Sequence, residues 1–235
     1  MRDEIEILYE DEDLIAVNKP PGLLMHRSRL SEDSVFLLQK LRIQLGYRIY
    51  TTHRLDRATS GAVVFGKNEH TAAAVNHLFA EHKVEKNYLA ILRGWIPDQG
   101  VIDHALADPE SKQPVSKSAL TSYTCLSRAE IPVPIGLRYQ TARFSLAEII
   151  PLTGRRHQIR KHFAHLRHPV IGDKKHGDVK HNSYFRDHFS LTRMFLHAAE
   201  LNFRHPTLGI QLNIKAPFDP AFAEGLKITG LTLPD

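Results

Sequence analysis

The sequence predicts an α+β fold built on a mixed, largely antiparallel sheet. Short β-rich runs recur along the whole chain, amphipathic helical segments interrupt them without a strict βαβ rhythm, and no repeat, low-complexity tract or long linker divides the 235 residues. A single domain spanning 1–235 is the economical partition.

Each element has a local reason. Ile5 to Tyr9 and Leu14 to Val17 read as strands separated by the acidic turn Glu10 to Asp13. Pro20-Pro21-Gly22 suits a type II turn, in which proline fixes φ and glycine supplies the positive φ that follows. A helix is predicted from Ser34, with Val35, Leu38, Leu41 and Leu45 on its apolar side and Gly46 as its stop. A second is expected from Asn68 to His82, burying Ala72, Val75, Leu78 and Phe79. Arg48 to Thr52 and Ala62 to Phe65 read as strands flanking the loop His53 to Gly61. Further strands are expected at Tyr88 to Arg93, Leu120 to Cys125, Phe144 to Ile150, Phe195 to Phe203 and Ile210 to Ile214. A helix from Gly154 to Leu166 is predicted by the spacing of Ile159, Phe163 and Leu166, with Pro169 ending it.

Composition narrows the function classes. Hydrophobic residues at 42% and charged residues at 24% are ordinary globular values. No stretch reaches the ~18 consecutive apolar residues of a membrane helix, so no membrane partner is expected. The acidic opening MRDEIEILYEDEDL lacks the basic and apolar regions of a secretory signal, and the single Cys125 excludes an internal disulfide. A cytoplasmic protein is expected. The net charge is +5, yet residues 154–180 alone carry eight basic and two acidic side chains. Such a stripe marks either a polyanion partner or a solvated helix face.

The chemistry-bearing residues are few. The loop HRLDRATSG (53–61) sets Asp56 between Arg54 and Arg57, and nearby positive charge favours the ionised form of a carboxylate. An ionised aspartate suits a nucleophile or a stabiliser of positive charge at a sugar carbon, whereas a lone loop aspartate also serves as a turn cap. Arg156 and Arg160 stand four residues apart, which predicts a shared, half-exposed helix face able to meet phosphates or a carboxylate such as Asp56. His157, His162, His165 and His168 cluster in the same segment, but no Cys or Glu completes a ligand set and the surroundings are cationic, so no metal is expected. No dinucleotide fingerprint, phosphate-binding glycine loop or Ser-His-Asp order is present, so no nucleotide cofactor is expected.

Four pieces of the chain, in order, carry a resemblance. They are VNKPPG (17–22), HRLDRATSG (53–61), KNYLAILRGW (86–95) and PLTGRRHQIRKHFAHLRHPVIGD (151–173), and with them the chain resembles the RluA family of pseudouridine synthases from Ile5 to about Ile214. The resemblance implies an enzyme that breaks the N1–C1′ bond of a uridine, turns the uracil and joins C5 to C1′ without cofactor or metal. It implies Asp56 as the catalytic aspartate, acting as nucleophile or base, Arg160 as its pairing arginine, and Tyr88 as the ring stacked on the uracil. Arg54 matches the side chain that fills the gap left by the extruded base. From charge alone, Arg155, Arg156, Lys161, Lys174 and Lys175 are expected to track an RNA backbone.

DKKHGD (173–178), the acidic N-terminus and the Arg-rich helix are most similar to the family's tRNA-acting group, which implies a tRNA stem as partner and uridine 65 as target. A stem-loop of large-subunit ribosomal RNA is the alternative within the class, and a non-catalytic RNA-binding module the alternative outside it. The chain is expected to act as a monomer with no separate N-terminal RNA-binding domain. Asp108 to Ser118 and Asp178 to Leu191 follow no motif and read as loops of the kind that select an RNA stem.

Overall fold

The computed structural model describes residues 4–26, 35–107, 115–136 and 139–234. In chain order the elements are β1 (Ile7–Glu10), β2 (Leu14–Lys19), α1 (Leu37–Leu45), β3 (Tyr50–Thr51), β4 (Ser60–Gly66), α2 (Glu69–Ala80), β5 (Glu85–Arg93) and β6 (Gln99–Asp103). The short strands β7 (Leu106–Ala107) and β8 (Ser116–Lys117) come next, then β9 (Leu120–Ile131), β10 (Ala142–Pro151), α3 (Gln158–His165), α4 (Val179–Phe189), β11 (Leu196–Arg204), β12 (Gln211–Lys215) and α5 (Pro220–Thr229). The fold is α+β with a mixed sheet, as the residue pattern predicts. The chain divides into two compact units, residues 1–86 with 197–218, and residues 87–196 with 219–235.

In the first unit β4 is the central strand. β2 pairs with it antiparallel along one edge, from Leu14 opposite Gly66 to Lys19 opposite Gly61. Its other edge is shared: β11 pairs parallel at Ser60 and Gly61, and β3 pairs antiparallel at Phe65 and Gly66. All seven residues of β4 are buried, and a central strand covered on both faces reads as a continuous apolar run. Leu14, Ala16, Ala62, Val64, Val75, Leu201 and Phe203 form the core, with Leu78 and Phe79 of α2 packed against it. Asn68 caps α2 by accepting the Thr71 N–H, and Gly46 closes α1 at φ 77°. The predicted start of α1 at Ser34 lies outside the described residues.

The second unit is antiparallel, in the order β5, β10, β9, β6. Its helices depart from expectation in three places. The helix predicted over 154–166 is only Gln158–His165, because His157 takes a left-handed φ of 55° and Arg167 one of 64°, well before Pro169. Asp178 to Leu191 is largely a helix, α4, whose Asp178 side chain accepts the His181 N–H and whose Phe185 is buried against Phe144 and Phe195. A terminal helix, α5, opens on Asp219 with Pro220 in its first turn and closes on Gly230 at φ 73°.

Gly61 sits where the loop carrying Asp56 enters β4. Its φ is 112°, and a Cβ there would fall 2.2 Å from the Ala198 carbonyl oxygen across the parallel pair. Gly61→Ala should therefore lower unfolding free energy by about 2 kcal/mol or more in urea titration, since both the backbone angle and the strand spacing oppose the methyl group.

Candidate active site

Asp56 lies in an irregular segment, residues 52–59, between β3 and β4. Irregular backbone needs other partners, and the side chains around it supply them. Where β3 ends, the Thr52 hydroxyl donates to the Val64 carbonyl at 2.6 Å and the Val64 N–H donates to His53 Nε2 at 3.0 Å. These two side chains continue the ladder that the departing backbone leaves open. Because its Nε2 is an acceptor, His53 is neutral there. The ring stacks on Phe79 with centroids 4.3 Å apart, and burial, helped by the charge of Lys86, pushes its pKa down to about 3.

The far side of the loop rests on Lys19. This side chain is fully buried, and its ammonium donates to the carbonyls of Pro20 at 2.9 Å, Arg57 at 3.1 Å and Thr59 at 2.7 Å. Gly22, at φ 85°, completes the proline turn expected from sequence. Its N–H donates to the Arg57 carbonyl at 2.8 Å, and Arg57 Nε donates back to the Gly22 carbonyl at 3.0 Å. Asp56 thus opens a turn closed by Thr59 N–H, with the residues after it held by a buried cation. Ser60 then bonds His197 Nδ1 at 2.8 Å, whose Nε2 meets the Ala216 carbonyl at 3.0 Å. Asp56 itself is half-buried and Arg54 exposed.

Tyr88 and Arg160 belong to the second unit. Tyr88 is half-buried on β5, opposite Ile149 of β10. Arg160 lies on α3, whose N-terminus is organised by Gln158: its Oε1 accepts Thr153 Oγ1 and Arg155 N–H, while its Nε2 donates to the Leu120 carbonyl and Thr121 Oγ1. The expected Arg156/Arg160 shared face is not formed. Arg156 precedes the helix and is exposed, whereas Arg160 is 7% exposed and grips Asp173 in a bidentate pair, Nε to Oδ2 at 2.7 Å and Nη2 to Oδ1 at 2.8 Å. Burial alone would raise the Asp173 carboxyl, but hydrogen bonds from Arg160, His176 N–H and Lys175 N–H outweigh it and hold it below the usual carboxylate range.

Asp173 is the residue that the motif reading passed over. It and Asp178 are the only acids in the basic stripe, and each is paired with an arginine, Asp178 with Arg93 at 2.5 Å. A lone carboxylate in a cationic run is the signal that points to both. The histidines of the stripe have defined bonding roles. His162 Nε2 faces the His104 carbonyl, so its Nδ1 accepts from the Thr121 hydroxyl. His168 Nδ1 donates to the Arg93 carbonyl, His165 stacks on His104 at 3.8 Å, and His157 Nδ1 bonds His176 Nε2 at 2.9 Å. Two of the cations expected on RNA also brace the protein: Arg155 Nε donates to the Ser118 carbonyl and Lys161 Nζ to the Ala107 carbonyl. Lys174 and Lys175 are exposed.

These motifs on an α+β scaffold define a class that direct comparison bears out. Residues 13–165 match the family described as RNA pseudouridylate synthase, and the chain belongs to that family as a pseudouridine synthase of the RluA type. Over 230 residues it is 46% identical to the tRNA pseudouridine synthase C of Vibrio parahaemolyticus, covering 94% of this chain and 93% of that protein. The tRNA pseudouridine synthase C of Vibrio cholerae is 47% identical over 224 residues, covering 92% of this chain and 91% of that one. Among solved structures, Human RNA Pseudouridylate Synthase Domain Containing 1 superposes with a TM-score of 0.74 at 27% identity, covering 99% of this chain and 98% of that one.

His53 gives the site a pH signature. Its folded pKa of about 3 lies below the unfolded value of 6.5, so between those limits the unfolded chain binds the extra proton and stability rises with pH. Denaturant melts should show stability falling as pH drops below about 6.5. His53→Gln, which keeps an acceptor for Val64 N–H, should flatten that slope.

Proposed function

We propose that this pseudouridine synthase acts on a tRNA stem, with uridine 65 as its target, in the cytoplasm. The observation that carries the substrate is the identity of 46% over 230 residues to a protein named for tRNA. The exposed cations Arg54, Arg156, Lys174 and Lys175 support an RNA partner, and among the described residues no helix is long and apolar enough to cross a membrane.

In this reading the enzyme extrudes the stacked uridine at a cost of about a few kcal/mol, and Arg54 fills the gap. Asp56 acts at the sugar as nucleophile or base while the N1–C1′ bond breaks. The uracil turns against Tyr88, the C5–C1′ bond forms, C5 releases its proton and N1 gains one. Atoms and electrons balance within the nucleoside. Arg160 offsets the charge of the Asp56 carboxylate. The two compact units serve as one catalytic domain and the chain acts as a monomer. Arg155, Arg156, Lys161, Lys174 and Lys175 follow the phosphate backbone.

The test is conversion of separate tRNA and ribosomal RNA transcripts, mapped with a carbodiimide adduct. Product should form at uridine 65 of tRNA, and Asp56→Asn should give no detectable turnover while binding RNA within threefold of wild type. Product in ribosomal RNA alone would overturn the substrate, and normal turnover by Asp56→Asn would remove it from the mechanism. Affinity should also fall steeply with salt. Replacing Lys174 and Lys175 together by Gln should reduce the slope of log affinity against log salt by about 1.5, the loss expected for two phosphate contacts at ~0.7–0.9 each.

A further inference from the structure

We propose that Asp173 is a positioning residue that fixes the guanidinium of Arg160 in the orientation turnover requires. The inference rests on the proposed role of Arg160 toward Asp56. It begins with how much structure is organised around one carboxylate. Its side chain is 1% exposed, and Oδ1 accepts from Arg160 Nη2 and from the N–H groups of Lys175 and His176. The main chain is held as firmly. Asn182 Nδ2 and Gly177 N–H both donate to the Asp173 carbonyl, while Asn182 Oδ1 takes the Gly172 N–H at 2.7 Å.

Close packing removes the remaining freedom. A Cβ on Gly172 would lie 1.9 Å from the Arg193 carbonyl oxygen, and one on Gly177 would lie 2.1 Å from the Asp173 carbonyl oxygen. Just upstream, Ile171 N–H donates to the Ile91 carbonyl of β5 and Phe195 N–H donates to the Ile171 carbonyl. The turn therefore hangs from the strand that carries Tyr88. Downstream, His176 reaches His157, the left-handed residue that opens α3 three positions before Arg160.

A buried ion pair is weak evidence for stability, because well-packed apolar residues of similar volume often do as well. What a side-on carboxylate adds is direction. Asp173 takes the Nε–Nη2 edge, two of the five guanidinium donors, and so turns the opposite edge away from itself at a fixed angle.

The experiment compares wild type, Asp173→Asn, Asp173→Glu, Arg160→Lys and the double variant Arg160→Lys with Asp173→Asn, as full chains on the RNA that wild type converts. Asp173→Glu keeps the charge balance, so it remains decisive if Asp173→Asn does not melt cooperatively. Each Asp173 variant should lose 30-fold or more in kcat with KM within threefold, and Asp173→Asn should add less than threefold to the loss already caused by Arg160→Lys. A folded Asp173→Glu with wild-type kcat, a loss confined to KM, or a full additional loss in the Arg160→Lys background would overturn the proposal. Arg160→Lys turning over like wild type would instead overturn the role given to Arg160 itself.

Discussion

A fully buried ammonium, that of Lys19, is the contact on which the aspartate loop depends. Charge without solvent access is costly unless every donor finds an acceptor, and Lys19 meets that demand with main-chain carbonyls drawn from both the proline turn and the Asp56 loop. Arg57 and Thr59 lie 38 and 40 residues beyond Lys19 in sequence, yet this one side chain ties them to the proline turn. Gly22 adds to this tie, and Thr52 and His53 restrain the loop where it leaves β3. A segment with no regular hydrogen bonding is thus held by bonds from both of its flanks.

The second unit solves a related problem with the charges reversed. Arg160 is an obligatory cation in a buried place, and the Asp173 carboxylate meets it edge on. Asp178 pairs with the more exposed Arg93 through Oδ2 and Nη1 while also capping α4. Most of the basic excess in residues 154–180 stays on the surface, but both acids there work inward.

Much of the fold is legible in the sequence because the signals are local. Asn68 before α2, Gly46 after α1 and the buried run of β4 each state their role within a few residues. α4 was not legible, since its histidines and aromatics give little helical preference and Phe185 is secured by rings from β10 and from beside β11. α5 carries both end signals, but Gly225 interrupts its apolar pattern because a Cβ there would sit 2.1 Å from the Phe195 ring. For the candidate site, motif order points to Asp56, Tyr88 and Arg160. The Asp173 pairing is not legible because it joins residues 13 apart, from α3 to a turn whose shape depends on contacts to β5 and Asn182.

The way Lys19 is satisfied bears on how the sequence can drift. Carbonyl oxygens are common to all twenty amino acids, so the bonds Lys19 makes to Arg57 and Thr59 do not depend on their side chains. The lysine has no such latitude, because no other side chain delivers three donors from so slender a stem. Selection on the shape of the aspartate turn therefore falls on a position outside it.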